Sequence, residues 1–117
     1  MKKEKNVIAE KSFEFSLLII ELYRKLLNQN EFVLSKQILR AGTSIGANVE
    51  EAQAGQSRAD FLSKMCIAAK EARESRYWLR LLRDSNEFPR IDFQTLLDST
   101  EELLRILTSI VKTTGEG

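Results

Sequence analysis

Apolar residues recur at Phe15, Leu18, Ile19, Leu22 and Leu26, the three-and-four spacing of one helical face. Phe13, Leu17, Ile20, Tyr23 and Leu27 widen that face well beyond a stripe. A helix apolar on several sides is either central in its fold or buried against a second partner. Asn6 is placed to cap it, with Glu10 in the opening turn to suit the helix dipole. Asn28-Gln29-Asn30 closes it, because these residues prefer turns to helix interiors. The first element is therefore expected over residues 7–28.

A second helix is expected over residues 31–54, with Ile38, Gly42, Ile45, Val49 and Ala52 on one face. Gln37, Arg40, Ser44, Asn48 and Glu51 line its polar face. Gly42 and Gly46 break a local rule, since each interior glycine costs about 0.5–1 kcal/mol relative to alanine. Close approach of another backbone is what offsets such a cost. A small-xxx-small pair signals membrane dimerisation only in an apolar span, and this one holds Arg40, Glu50 and Glu51. As a phosphate-binding loop, G-T-S-I-G-A-N lacks the lysine, the spacing and the strand–loop–helix setting.

Gly55 fits the left-handed position past a helix end, and Ser57-Arg58-Ala59-Asp60 resembles a capping box, which sets a corner at residues 55–57. The third helix is expected over residues 58–85, with Phe61 or Leu62, Met65, Ala68 or Ala69, Ala72, Ser75, Leu79 and Leu82 inward. The small middle of that face, Ala68 and Ala72, is expected to receive Gly42 and Gly46. A turn at Asn86–Arg90 holds the single proline, and Asp92 caps a fourth helix over residues 92–113, with Ile91 and Leu96 as a hydrophobic staple. Leu96, Leu97, Thr100, Leu103, Leu104, Leu107, Ile110 and Val111 give its apolar face, and the chain is expected to fray from Lys112. Short links between four such helices predict one all-α domain over residues 1–117, an antiparallel up-down-up-down four-helix bundle.

Composition narrows the function classes. The 117 residues suit a single core, and 18 Lys and Arg against 17 Asp and Glu leave a formal charge of +1. That total does not signal a strongly cationic nucleic-acid binder, so only a local patch would serve. With no histidine, the commonest general base and metal ligand are both missing. Cys66, the one cysteine, is expected to be a buried small hydrophobe. The longest apolar run, Leu17-Leu18-Ile19-Ile20, is far too short for a bilayer, and the opening MKKEKN lacks a signal peptide's apolar core. The cytoplasm of a bacterial-type cell is the expected compartment, with no membrane partner.

Two groups of side chains are candidates for function. Arg73, Arg76, Arg80 and Arg83 form a basic stripe on the third helix, and Tyr77 and Trp78 beside them have the chemistry to stack on bases. The same residues serve equally as an ion-paired face or a protein–protein anchor, and that structural reading is preferred. Asn48, Glu51, Glu71 and Glu74 gather near the presumed tight helix pair. A hydrogen-bond network from Asn48 and Glu51 to Arg73 and Arg76 is expected in preference to acid–base catalysis. Thr43 and Ser44 have no histidine to activate them.

The runs SKQILRAGTSIGANVEEAQA, SRADF and AAKEARESRYWLRLL, with EKSFEFSLLIIELYRKL in the first helix, resemble a bacterial four-helix-bundle family. Its members are encoded in intervening sequences of 23S ribosomal RNA genes. The resemblance implies a small antiparallel bundle that assembles into a homopentameric ring. The chain is also similar to accessory proteins of diversity-generating retroelements, whose rings carry basic surfaces that engage nucleic acid and a reverse transcriptase. By the same resemblance, Ser44, Asn48, Glu51, Arg58, Glu71, Arg76, Tyr77 and Trp78 are candidates for structural or assembly roles. The near-neutral charge departs from the strongly basic accessory proteins. No catalytic residue, cofactor or metal ligand carries over. The first expectation is a non-enzymatic homo-oligomeric scaffold with no small-molecule substrate. The alternative is an RNA- or DNA-binding accessory module on Arg73, Arg76, Arg80 and Arg83, assisted by Lys2, Lys3 and Lys5, with RNA or a reverse transcriptase as partner.

Overall fold

The computed structural model describes residues 2–116, with side chains from Val7 to Glu116. Its helices are α1 (Lys2–Asn28), α2 (Leu34–Gln53), α3 (Arg58–Asp84) and α4 (Phe93–Glu116), and the described residues contain no strand. They pack into a bundle measuring 46 × 20 × 20 Å. Each helix touches two neighbours, so α1 stands diagonally opposite α3, and α2 opposite α4. Neighbours run antiparallel. Arg76 of α3 reaches Glu101 of α4, and further along α3 Arg83 reaches back to Gln94. The architecture is all-α and up-down-up-down.

The inward faces follow the apolar periodicity. Phe15, Ile19, Leu22 and Leu26 of α1 are buried, as are Ile38, Ile45, Val49 and Ala52 of α2. On α3 both Ala68 and Ala69 are buried, together with Met65, Ala72, Ser75, Leu79 and Leu82. The buried hydroxyls of Ser75 and Thr100 bond within their own helices, Ser75 Oγ donating to the Glu71 carbonyl at 2.8 Å and Thr100 Oγ1 to that of Leu96 at 2.8 Å. These bonds offset the cost of taking the two hydroxyls out of water. The buried Ser35 Oγ, by contrast, has no partner among the described residues.

Several ends differ from expectation, each for a local reason. α1 begins at Lys2, which puts Asn6 inside the helix; Lys and Glu are good helix formers and extend it upstream. The side chains of Lys2, Lys3, Lys5 and Asn6 lie outside the described residues. Asn30 takes φ 64°, and the Glu31 N–H bonds the Leu26 carbonyl at 2.9 Å, closing α1 with a left-handed turn. α2 starts at Leu34 because the Glu31 carboxylate sits outside the helix and accepts the N–H groups of Val33, Leu34 and Ser35. Among the described residues no glycine has positive φ, so Gly55 is not the left-handed cap. Its side is closed instead, since a Cβ there would stand 3.1 Å from the Ala52 carbonyl oxygen. Ser57 Oγ does accept the Asp60 N–H at 3.0 Å, and Asp92 accepts that of Thr95 at 3.2 Å. α4 continues to Glu116 because Arg58 donates to the Thr114 carbonyl, at 3.0 Å from Nε.

Gly42 and Gly46 face α1, and α3 is not their nearest neighbour. A Cβ on Gly42 would lie 2.7 Å from Ile19 Cγ1, and one on Gly46 would lie 3.2 Å from the Ser12 carbonyl oxygen. Ser12 and Ser16 supply the small surface that was expected of Ala68 and Ala72. Those two alanines are buried on α3 and pack within the core. Cys66 is exposed, contrary to expectation: it follows core residue Met65 by one position, a rotation that carries it out of the inward face.

Candidate functional site

The polar residues of α2 and α3 form a tie between those helices, built around a residue that sequence reasoning had not paired. Arg40 donates to Glu71 Oε1 at 3.3 Å and also pairs with Glu74. Glu74 Oε2 in turn accepts the Trp78 indole N–H at 3.0 Å. Trp78 is half-buried against the core and meets Tyr77 edge-on, with ring centroids 5.3 Å apart. This network replaces the one expected from Asn48 and Glu51 to Arg73 and Arg76. Asn48 Nδ2 donates to the Ser44 carbonyl at 2.9 Å, and Ser44 Oγ to that of Arg40 at 2.6 Å, so both bond their own helix. Glu51 is exposed. The signal for Arg40 was its place on the polar face of α2, but its partner depends on how α2 and α3 are aligned.

The arginine stripe divides into two pairs. Arg76 bonds Glu101 at 3.2 Å, and Arg83 bonds Gln94 at 3.3 Å and its neighbour Asp84 at 2.8 Å, so both hold the α4 side. The bond from Arg83 keeps the Asp84 carboxyl below its ordinary pKa. Arg73 and Arg80 are exposed on the outward face, with Lys70 and Tyr77. Leu81, Ile67 and Cys66 complete that surface. On the opposite corner, α1 exposes Phe13 (60%) and Leu17 (53%) among Glu10, Glu14 and Glu21.

Arg58 closes the bundle end rather than joining a network with Glu71. It borders an open cleft of about 480 Å³ with Gln53, Phe61 and Thr113. Among the described residues, no group of three or more His, Cys, Asp or Glu could hold a metal ion, and no helix is long and apolar enough to cross a membrane.

The geometry defines an antiparallel four-helix bundle whose polar side chains mostly tie helix to helix, with two unlike outer faces. The chain belongs to the 23S rRNA-intervening sequence protein family, whose model matches residues 4–109. It is similar to a crystal structure of a protein of unknown function from the S23 ribosomal protein family of Bacteroides thetaiotaomicron VPI-5482. The two share 49% identity with a TM-score of 0.89, over 93% of this chain and 98% of the other. A search of the curated proteins finds no significant match.

Proposed function

We propose that this protein is a non-enzymatic bundle that assembles with copies of itself and acts as an interaction scaffold, with a pentamer as the finer expectation. The observation that carries this reading is the apolar surface left outside a complete core. Phe13 and Leu17 on α1, and Tyr77 and Leu81 on α3, are 39–60% exposed although the bundle is closed. They lie on two opposite corners, Phe13 and Leu17 on one and Tyr77 and Leu81 on the other, each pair set among charged side chains as interaction sites are. Size-exclusion chromatography with light scattering at micromolar concentration tests it. A mass several times the 13.4 kDa chain is expected, and a clean monomer overturns the reading.

The second reading is a nucleic-acid accessory module, and it is favoured by one observation: Lys70, Arg73 and Arg80 are exposed around Tyr77. Arg76 and Arg83 are engaged with α4, so the reading rests on Arg73 and Arg80. Structured RNA is then expected to bind at low salt, with affinity falling steeply as salt rises. Indifference of binding to Arg73→Glu/Arg80→Glu overturns it.

A further inference from the structure

The outer faces of α1 and α3 carry opposite charge in matching order along parallel helices. The exposed charged positions on the outermost line of α1 are Glu10, Glu14, Glu21 and Arg24, with Lys25 turned toward Asp92. On that of α3 they are Lys70, Arg73, Arg80 and Asp84, with Arg83 turned toward Gln94. Each pair in that order joins opposite signs, and the residue numbers within each pair differ by 59 or 60. The exposed apolar residues Leu17 and Tyr77 are also 60 apart, inside the same frame. At about 1.5 Å per residue, Glu10–Glu21 spans roughly 16 Å and Lys70–Arg80 roughly 15 Å, so the charges stay in step.

We infer, resting on the assembly reading above, that α1 of one copy docks along α3 of the next, parallel and in this register. Glu10, Glu14 and Glu21 then face Lys70, Arg73 and Arg80, with Leu17 against Tyr77 at the centre. Within one chain α1 and α3 run in the same direction at diagonal corners, with outer faces pointing apart. A contact made from one face to the other leaves both used faces unlike, which is a heterologous interface. Because the docked helices are parallel, successive copies keep their long axes aligned, and such an interface gives a ring where the rotation from copy to copy closes and an open row where it does not. Charge complementarity selects a second copy as the occupant, because each chain carries one acidic and one basic ridge in the same register. Like-charge contacts disfavour α1 on α1 and α3 on α3.

Charge reversal tests the contact in the full chain. Glu14→Arg/Glu21→Arg makes both faces basic, and Arg73→Glu/Arg80→Glu makes both acidic. Each variant alone is expected to run as a monomer with unchanged helical circular dichroism, where the wild type assembles. An equimolar mixture is expected to recover association in mixed oligomers in which the two chains alternate, although an odd-membered ring cannot close this way without one like-charge contact. Loss of wild-type mass in neither variant, or a folded mixture that stays monomeric, overturns the docking while leaving self-assembly intact. Loss of RNA binding in Arg73→Glu/Arg80→Glu at unchanged mass also overturns it, assigning α3 to nucleic acid. A monomeric wild type overturns the assembly reading itself. Should a charge variant fail to fold, Leu17→Cys/Tyr77→Cys in a Cys66→Ser chain decides: mild oxidation is expected to give a ladder of linked copies, and no ladder overturns the docking.

Discussion

Ile19 Cγ1 lies 2.7 Å from where a Cβ on Gly42 would stand, a separation no real Cβ tolerates. Ile19 is fully buried, so moving its side chain means displacing the close-packed core around it. The glycine is therefore a packing requirement between α1 and α2.

Gly42→Ala is expected to destabilise the bundle. Overpacking costs about 1–3 kcal/mol, against a helix-propensity gain of about 0.5–1 kcal/mol. Gly46→Ala is expected to cost less, because its Cβ would meet the Ser12 carbonyl at 3.2 Å and a slight separation relieves it. Urea unfolding of both variants checks the order. Ile19→Ala combined with Gly42→Ala is expected to lose less than the two separate losses together, since the first removes the atoms the second strikes.

Arg40→Ala is expected to lower stability by about 0.5–1 kcal/mol, because its guanidinium is half exposed and its partners only partly shielded. The loss should shrink in high salt. Glu74→Gln, which weakens the acceptor of the Trp78 indole, is expected to shift the emission of this single tryptophan without unfolding the chain. Thermal melts and fluorescence at two ionic strengths read both effects.

Asp92 gives a pH dependence of known sign. Its carboxylate accepts the Thr95 hydroxyl at 2.6 Å and the Thr95 N–H at 3.2 Å, which hold its pKa below the ordinary 3.8. A depressed carboxylate contributes stability above its unfolded pKa and loses it as pH falls through the folded value. Melting temperature is expected to fall less steeply on acidification below pH 3.8 in Asp92→Asn than in the wild type. Parallel acid limbs would remove Asp92 from that role.

Arg58→Ala is expected to release the last turn of α4. Arg58 donates twice to the Thr114 carbonyl, occupying an acceptor that the helix itself leaves open. Hydrogen exchange of the amides near residues 112–116 should rise several-fold, with α1 unchanged.

The helices are legible in the sequence because apolar spacing and short-range caps are local properties. Ser57 and Asp92 needed only the residues three positions on. Relations between helices are not local, and there the reading failed: Gly42 and Gly46 show that a close neighbour is needed, but not that it is α1. Arg40 shows a polar face, while its pairing with Glu71 and Glu74 depends on how α2 and α3 align. The arginine spacing looks like one stripe, yet small rotations around α3 send Arg76 and Arg83 to α4 and leave Arg73 and Arg80 outside. The unusual apolar width of α1 was visible at once, and it corresponds to the exposed Phe13 and Leu17.

The most direct measurement is sedimentation equilibrium of the wild type beside Phe13→Gln/Leu17→Gln, two substitutions at positions 60% and 53% exposed that leave the core untouched. The expected result is an assembled wild type and a monomeric variant that keeps the helical circular dichroism of the wild type. A wild type that sediments at 13.4 kDa, or a variant that keeps the wild-type mass, contradicts the proposal that this surface joins one copy to another.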